Sequence, residues 1–142
     1  MHRRCPSVVA LDAWYDRKAT GPTVVNTPAE LDAVLDTVVD WNAPITVQLL
    51  IHGDPGHAIL DVGLDARTGR GVLCYAGSDA PDACISKGSD TAEQPPLYFT
   101  GSDTEFPVNS EIPLGEARRA AHEYMSTGGR RPTGVEWQPS WN

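Results

Sequence analysis

Apolar residues recur with a helical period in two parts of this chain. In the first part they follow one another at spacings of three and four, which is typical of an amphipathic helix that buries one face. Thr27, Pro28 and Glu30 stand where an N-cap, a first helical residue and a capping-box acid are expected. The pattern predicts a helix from Thr27 to about Trp41, whose buried stripe consists of Leu31, Val34, Leu35, Val38 and Val39.

Three consecutive segments have the composition of β-strands. Residues 45–51, 58–65 and 72–76 are rich in apolar and β-branched side chains, and turn residues separate them at 52–57 and 67–71. Because the connections are short, we expect an antiparallel meander. Within the second strand, Ile59, Asp61 and Asp65 should share one face, which would then mix apolar and acidic positions as a sheet edge or a binding surface does.

The other strand signals are shorter. Residues 23–26 and 97–100 look like brief strands, and 105–108 should pair back as an edge segment because Pro107 cannot donate to a ladder. Residues 77–96 are polar, acidic and almost without apolar side chains, which predicts a long loop of the kind that is either mobile or functional.

The second helical pattern lies near the C-terminus. It begins at 112–113, where Pro113 suits a first helical turn, and Gly128 and Gly129 can end it in the left-handed conformation. A closing strand is expected at 134–138, with Trp137 in the core and Glu136 exposed. The buried positions of the helix are Leu114, Ala117, Ala121, Tyr124 and Met125.

These elements predict the fold class. We expect an α+β protein in which an antiparallel sheet of about five or six strands packs with two amphipathic helices. A length of 142 residues fits a single domain, 1–142, in which residues 1–22 form either a short strand or a loose N-terminal arm.

The charge of the chain is strongly acidic. The net charge is −8, and residues 61–111 hold nine acidic against three basic residues, a net −6. Such a surface repels phosphate backbones, so we expect no direct nucleic-acid binding. It attracts basic proteins and speeds their capture, although solubility alone explains many acidic sequences.

Cysteine use and hydropathy bear on location. Cys5, Cys74 and Cys84 are an odd number without paired spacing, which favours a reducing cytoplasm over a disulfide framework. No apolar run approaches the roughly eighteen residues of a membrane helix, and no apolar stretch follows the basic N-terminus as in a secretory signal.

Catalytic and metal motifs are weak. His52 and His57 flank a turn and could hold a metal together with Asp54, but further ligands are not evident and exposed turn histidines are the simpler interpretation. Cys84 is expected to be exposed in the long loop, and Cys74 to be buried in a strand. We find neither a Walker A motif nor a zinc-deaminase motif, and we expect no cofactor, metal or catalytic residue.

The C-terminal segment carries a family resemblance. The run Ile112-Pro113-Leu114-Gly115-Glu116-Ala117-Arg118-Arg119, the glycines at 128–129, Arg131-Pro132-Thr133 and the Trp137 strand resemble the C-terminal signature of a bacterial immunity-protein family. Its members are encoded beside polymorphic toxins, commonly of the deaminase superfamily. The resemblance implies a cytoplasmic, non-catalytic inhibitor whose partner is a cognate toxin with a basic substrate groove.

The partner-binding residues are predicted from charge and loop length. Most are acidic and lie in the middle of the chain, and an aromatic residue serves as an anchor. The set is Asp61, Asp65, Asp79, Asp82, Glu93, Tyr98, Asp103 and Glu105, with Trp141 as another possible anchor. Two alternatives stay open: a small hydrolase or isomerase that uses Cys84 or His52/His57, and a general interaction module with a large apolar patch.

Overall fold

A computed structural model describes residues 9–16, 20–77, 80–89, 91–99 and 102–140, with only the backbone at 80–81. In chain order its elements are β1 (Leu11–Trp14), β2 (Thr23–Val25), α1 (Pro28–Asp40), β3 (Ile45–Ile51), β4 (Ala58–Asp65), β5 (Arg70–Gly77), β6 (Ala80–Lys87), β7 (Leu97–Phe99), β8 (Asp103–Glu105), β9 (Ile112–Pro113), α2 (Leu114–Ser126) and β10 (Glu136–Pro139). None of the helices in these ranges is long and apolar enough to cross a membrane.

The fold is α+β, as predicted, but the sheet is larger than expected. Its main path has seven strands in the order β10-β6-β5-β4-β3-β1-β2, and every neighbouring pair on this path is antiparallel. Three further strands join from the side: β7 runs parallel to β3, β8 pairs with β7, and β9 pairs with β5. The meander of β3, β4 and β5 is confirmed, whereas the prediction of five or six strands was too low.

Strand β6 is the main correction to the prediction. Residues 77–96 were expected to form a loop, but Ala80–Lys87 pairs with β5 on one side and β10 on the other. Cys84, Ile85 and Ser86 are all buried, so this strand shows no alternation of polar and apolar residues. Ser86 is tolerated there because its hydroxyl accepts a hydrogen bond from the Leu73 N–H and donates one to the Ser110 carbonyl.

Two boundaries near the C-terminal half also shift. The edge segment that pairs with β7 is 103–105 and not 105–108. Pro113 ends β9 and acts as the N-cap residue of α2, so the first helical residue is Leu114. Gly128 and Gly129 do adopt positive φ values of 74° and 96° after the helix, as predicted.

Both helices pack on one face of the sheet. Helix α1 begins as its sequence predicts: Thr27 Oγ1 accepts a hydrogen bond from the Glu30 N–H, and the Glu30 carboxylate accepts one from the Asn26 N–H. Helix α2 is tied to the sheet by Tyr124, whose hydroxyl donates to the carbonyls of Leu49 and Ala58. The main core lies between this sheet face and the helices and includes Leu31, Leu35, Val38, Val47, Leu49, Leu60, Val62, Leu64, Leu73, Tyr75, Ala117, Ala121 and Met125.

A second, smaller core covers part of the opposite face. Tyr98 in β7 and Phe106, which follows β8, pack against Val72 and Ile85. Gly63 is required beneath them, because a Cβ atom there would lie 2.6 Å from Val72 and 2.8 Å from Tyr98. The segment around β7 and β8 therefore covers one end of this face, and the described residues leave the other end uncovered.

Candidate partner-binding surface

Strand register places nine side chains together on the sheet face opposite the helices, at the end that the β7–β8 segment does not cover. Residues that pair directly across an antiparallel ladder project from the same face, and alternate residues of a strand do so as well. One row runs across four strands as Trp14, Gln48, Asp61 and Cys74, and the next row runs as Val24, Asp12, Leu50, Ile59 and Ala76. We call these nine residues the open face.

The open face is partly accessible to solvent. Trp14 and Val24 are 44% and 42% exposed, and the other seven side chains are half-buried. On the helix side of the same strands, Leu49 and Leu60 are 0% exposed. Exposed large apolar side chains on a sheet face are typical of a surface that receives a partner.

Asp61 is the charged group in the middle of the open face. Its Oδ1 atom is buried and has no hydrogen-bond partner among the described residues. Burial raises the pKa of Asp61 to about 6, and a hydrogen bond with the Gln48 side chain opposes this shift only in part. The carboxylate therefore lacks the donors that its charge requires.

Cys74, the cross-strand neighbour of Asp61, is a neutral thiol. Burial raises the pKa of Cys74 to about 12, and the nearby charge of Asp61 adds to the effect. A protonated thiol is a weak donor and a small apolar group, so it does not compensate the carboxylate.

Asp65, a predicted partner-binding residue, stabilises its own turn. It is 4% exposed, and its carboxylate accepts hydrogen bonds from the Arg67 side chain at 3.0 and 3.1 Å and from the Arg67 backbone N–H. This bidentate pair fixes the turn between β4 and β5.

Tyr98 is also directed inward. The side chain is 1% exposed, and its hydroxyl donates to Glu111 Oε2 at 2.7 Å. Burial and this hydrogen bond raise the pKa of Tyr98 above its ordinary value. Its contribution to a binding surface is to hold the β7–β8 segment on the sheet.

The remaining predicted acids are at the surface. Asp82, Glu93, Asp103 and Glu105 are all exposed. Asp103 and Glu105 belong to β8, which directly precedes Phe106 of the second core, and Cys74 of the open face packs against that core. Asp79 and Trp141 lie outside the described residues.

Sequence reasoning missed part of this surface. The alternation in β4 did place Asp61 and Ile59 on one face, but Trp14, Val24 and Asp12 come from strands far away in sequence. Only the pairing of β1 with β3 brings them beside Leu50 and Gln48, and nothing in the local pattern of residues 11–14 predicts that pairing.

The comparison with protein families decides what kind of protein carries this surface. Residues 19–139 match the family described as Immunity protein Imm1. The chain belongs to the Imm1 immunity-protein family. The match includes both helices and all of the sheet except β1. A search of curated proteins finds no match.

Membership assigns the general role. This Imm1 protein neutralises a cognate toxin by acting as its binding partner, and it is not an enzyme. The immunity-family prediction made from the C-terminal segment is thereby confirmed.

Two of the candidate catalytic residues of the Imm1 protein, Cys84 and His52, lie in different parts of the fold. Cys84 was expected to be exposed, but it is 6% exposed in β6, with its Sγ 3.8 Å from the Tyr75 carbonyl oxygen. His52 bonds the open-face residue Asp12 at 2.8 Å, whereas Cys84 pairs with Tyr75 on the helix side. In the described part of the chain, no group of three or more His, Cys, Asp or Glu side chains could hold a metal ion.

Proposed function

We propose that this Imm1 protein neutralises a nucleic-acid-targeting deaminase toxin, and that it does so by covering the basic substrate groove of the toxin with an acidic surface. The observation that carries the proposal is the concentration of charge: nine acidic against three basic residues between 61 and 111, within a chain of net charge −8. Membership of the Imm1 family supplies the toxin as partner.

Charge complementarity explains how such an inhibitor works. An enzyme that acts on nucleic acid needs a positively charged groove for the phosphate backbone. An acidic protein is steered toward the same groove, and once bound it excludes the substrate. Binding in this way requires no chemistry from the inhibitor.

The exposed acids form the outer part of the proposed surface. Asp82, Glu93, Asp103 and Glu105 are free to approach a basic partner, and Asp79 is included on charge alone. Asp61 contributes from the sheet face, whereas Asp65 and Tyr98 hold the surrounding strands in place. We place the protein in the cytoplasm, where its thiols stay reduced and where the toxin meets nucleic acid.

A deamination assay tests the proposed toxin class. The toxin domain encoded beside this protein is purified and incubated with single- and double-stranded DNA and with RNA, and the release of ammonia is measured. We expect deamination of at least one substrate, and its loss when an equimolar amount of the Imm1 protein is added. A toxin without deaminase activity would overturn the proposed class, and undiminished activity would overturn the proposed inhibition.

The acidic surface is tested by charge reversal. In the double variant Asp82→Lys and Glu93→Lys, the association rate with the toxin should fall by roughly tenfold at low salt and depend less on ionic strength. The matched control reverses Asp36 and Asp40, two exposed acids of α1 on the side of the sheet opposite the open face, and should change the rate much less. Equal rates for the two double variants would remove Asp82 and Glu93 from the interface.

A further inference from the structure

We propose that the cognate toxin docks on the open face and places one arginine or lysine side chain against Asp61. The proposal relies on the proposed function only for the identity of the partner as a toxin with a basic surface, and it is independent of the reaction that the toxin catalyses. It assigns the centre of the interface to the sheet, with the exposed acids at its edge.

The surroundings of Asp61 define what can bind there. Gln48 and Cys74 flank it in the same row, and Ile59 lies two residues away on the same strand and face. These neighbours are uncharged, and the Oδ1 atom has no partner in the described structure. The missing interaction is therefore a hydrogen-bond donor from outside the chain, preferably one that carries positive charge.

Docking would make this requirement stricter. A partner that covers the open face removes the remaining water from Asp61, and a carboxylate that is buried without a counter-charge is strongly unfavourable. A partner that brings a cation to this position avoids the penalty and keeps Asp61 ionised. Arginine fits best, because its planar guanidinium can donate two parallel hydrogen bonds to a carboxylate.

The apolar residues of the open face suit the same arrangement. Trp14, Leu50 and Ile59 would contact the aliphatic part of the incoming side chain and its apolar neighbours, and they would exclude water from the ion pair. This role accounts for the exposure of Trp14 and Val24, at 44% and 42%, on the open face.

The acidic segment beside the open face adds attraction at longer range. Tyr98 and Phe106 anchor this segment over Val72 and Ile85, and its strand β8 carries Asp103 and Glu105. A basic toxin surface would then contact an acidic edge and an apolar centre that contains one carboxylate without a counter-charge. This distribution is that of a protein interface with a desolvated centre and a polar rim.

Binding measurements with paired variants test the proposal. The dissociation constant for the purified toxin domain encoded beside this protein is measured for the wild type, Asp61→Asn and Trp14→Ala. The controls are Asp40→Asn, which removes the same charge from the end of α1, and Trp41→Ala, which removes a tryptophan of equal exposure, 44%, at the α1 C-cap. Circular dichroism confirms that each variant is folded.

The proposal predicts that Asp61→Asn and Trp14→Ala each weaken binding by roughly tenfold or more, while both controls stay within about twofold of the wild type. If the wild type binds and all four variants bind equally well, the open face is not the docking site, although the protein still acts as an inhibitor. If the wild type itself does not bind the toxin, the proposed function fails together with the docking site.

Discussion

Asp61 occupies a position that is unfavourable for a carboxylate in the free protein. It is half-buried, and one of its oxygens has no hydrogen-bond partner among the described residues. An amide of the same shape would be less costly to bury. Retaining an acid at such a position is expected where the charge is used in binding, since functional groups are often kept at the expense of stability.

The unfavourable burial of Asp61 should appear as a pH dependence of stability. The pKa is about 6 in the folded protein and about 3.8 in the unfolded chain, so the folded state binds more protons between these values. Stability is therefore greatest at low pH in this window and falls as the pH rises through 6. The free-energy difference is about 1 to 3 kcal/mol.

Asp61→Asn should remove this contribution. At pH 7.5 we expect the variant to be more stable than the wild type by about 1 to 3 kcal/mol, and the gain should shrink toward zero near pH 4. Urea unfolding at the two pH values measures the difference, with Asp40→Asn as control. A gain that is equal at both pH values would contradict the assignment of a raised pKa to Asp61.

Tyr124 is the residue that links α2 to the sheet. Its buried hydroxyl lies 3.2 Å from the Leu49 carbonyl oxygen and 3.0 Å from that of Ala58. Tyr124→Phe leaves both carbonyls without this donor and should lower the free energy of unfolding by about 1 to 2 kcal/mol. Tyr15→Phe is the control, because the Tyr15 hydroxyl is at the surface, where it accepts a hydrogen bond from Thr23 Oγ1 at 3.3 Å. A loss of equal size in both variants would show that the buried hydrogen bonds contribute no more than the exposed one.

At the scale of elements, helix α1 begins at the residue that its sequence predicts, because the N-cap and capping-box signals are local. Thr27→Ala removes the hydrogen bond to the Glu30 N–H and should cost about 1 kcal/mol. Thr37→Ala is the matched control, since the Thr37 hydroxyl only bonds back to the Ala33 carbonyl within the helix. Its unfolding free energy should be unchanged or slightly higher. Denaturant unfolding distinguishes the two, and equal effects would contradict the capping role of Thr27.

The same distinction between local and distant information explains which elements could be predicted. The helices and the meander follow from periodicity, caps and turns within a few residues. Strand β6 could not be recognised, because Ser86 is buried by hydrogen bonds to Leu73 and Ser110 rather than by apolar character. The open face was foreseen only at Asp61 and Ile59, since the position of Trp14 depends on pairing across the sheet.

At the scale of the whole molecule, the sheet has two differently used faces. Helices α1 and α2 cover one face, and the main core lies between them and the sheet. On the other, the β7–β8 segment covers one end and the open face remains. This division separates the part that stabilises the fold from the part we assign to binding.

The continuous sheet predicts cooperative unfolding of the chain as a single domain. Because β2 pairs with β1 and β1 with β3, while β10 pairs with β6, the two ends of the described structure belong to one sheet. Thermal unfolding followed by circular dichroism and by tryptophan fluorescence should give coincident midpoints. An earlier transition seen only by fluorescence would indicate that the region around Trp14 and Trp41 unfolds separately.

Growth rescue in cells tests the central claim most directly. The toxin domain encoded beside this protein is expressed alone, with the wild-type protein, and with the Asp61→Asn variant, and colony formation is counted at matched protein levels. The account predicts that the wild type restores growth and that the variant restores it less well. Cells that die despite abundant, soluble wild-type protein would contradict it.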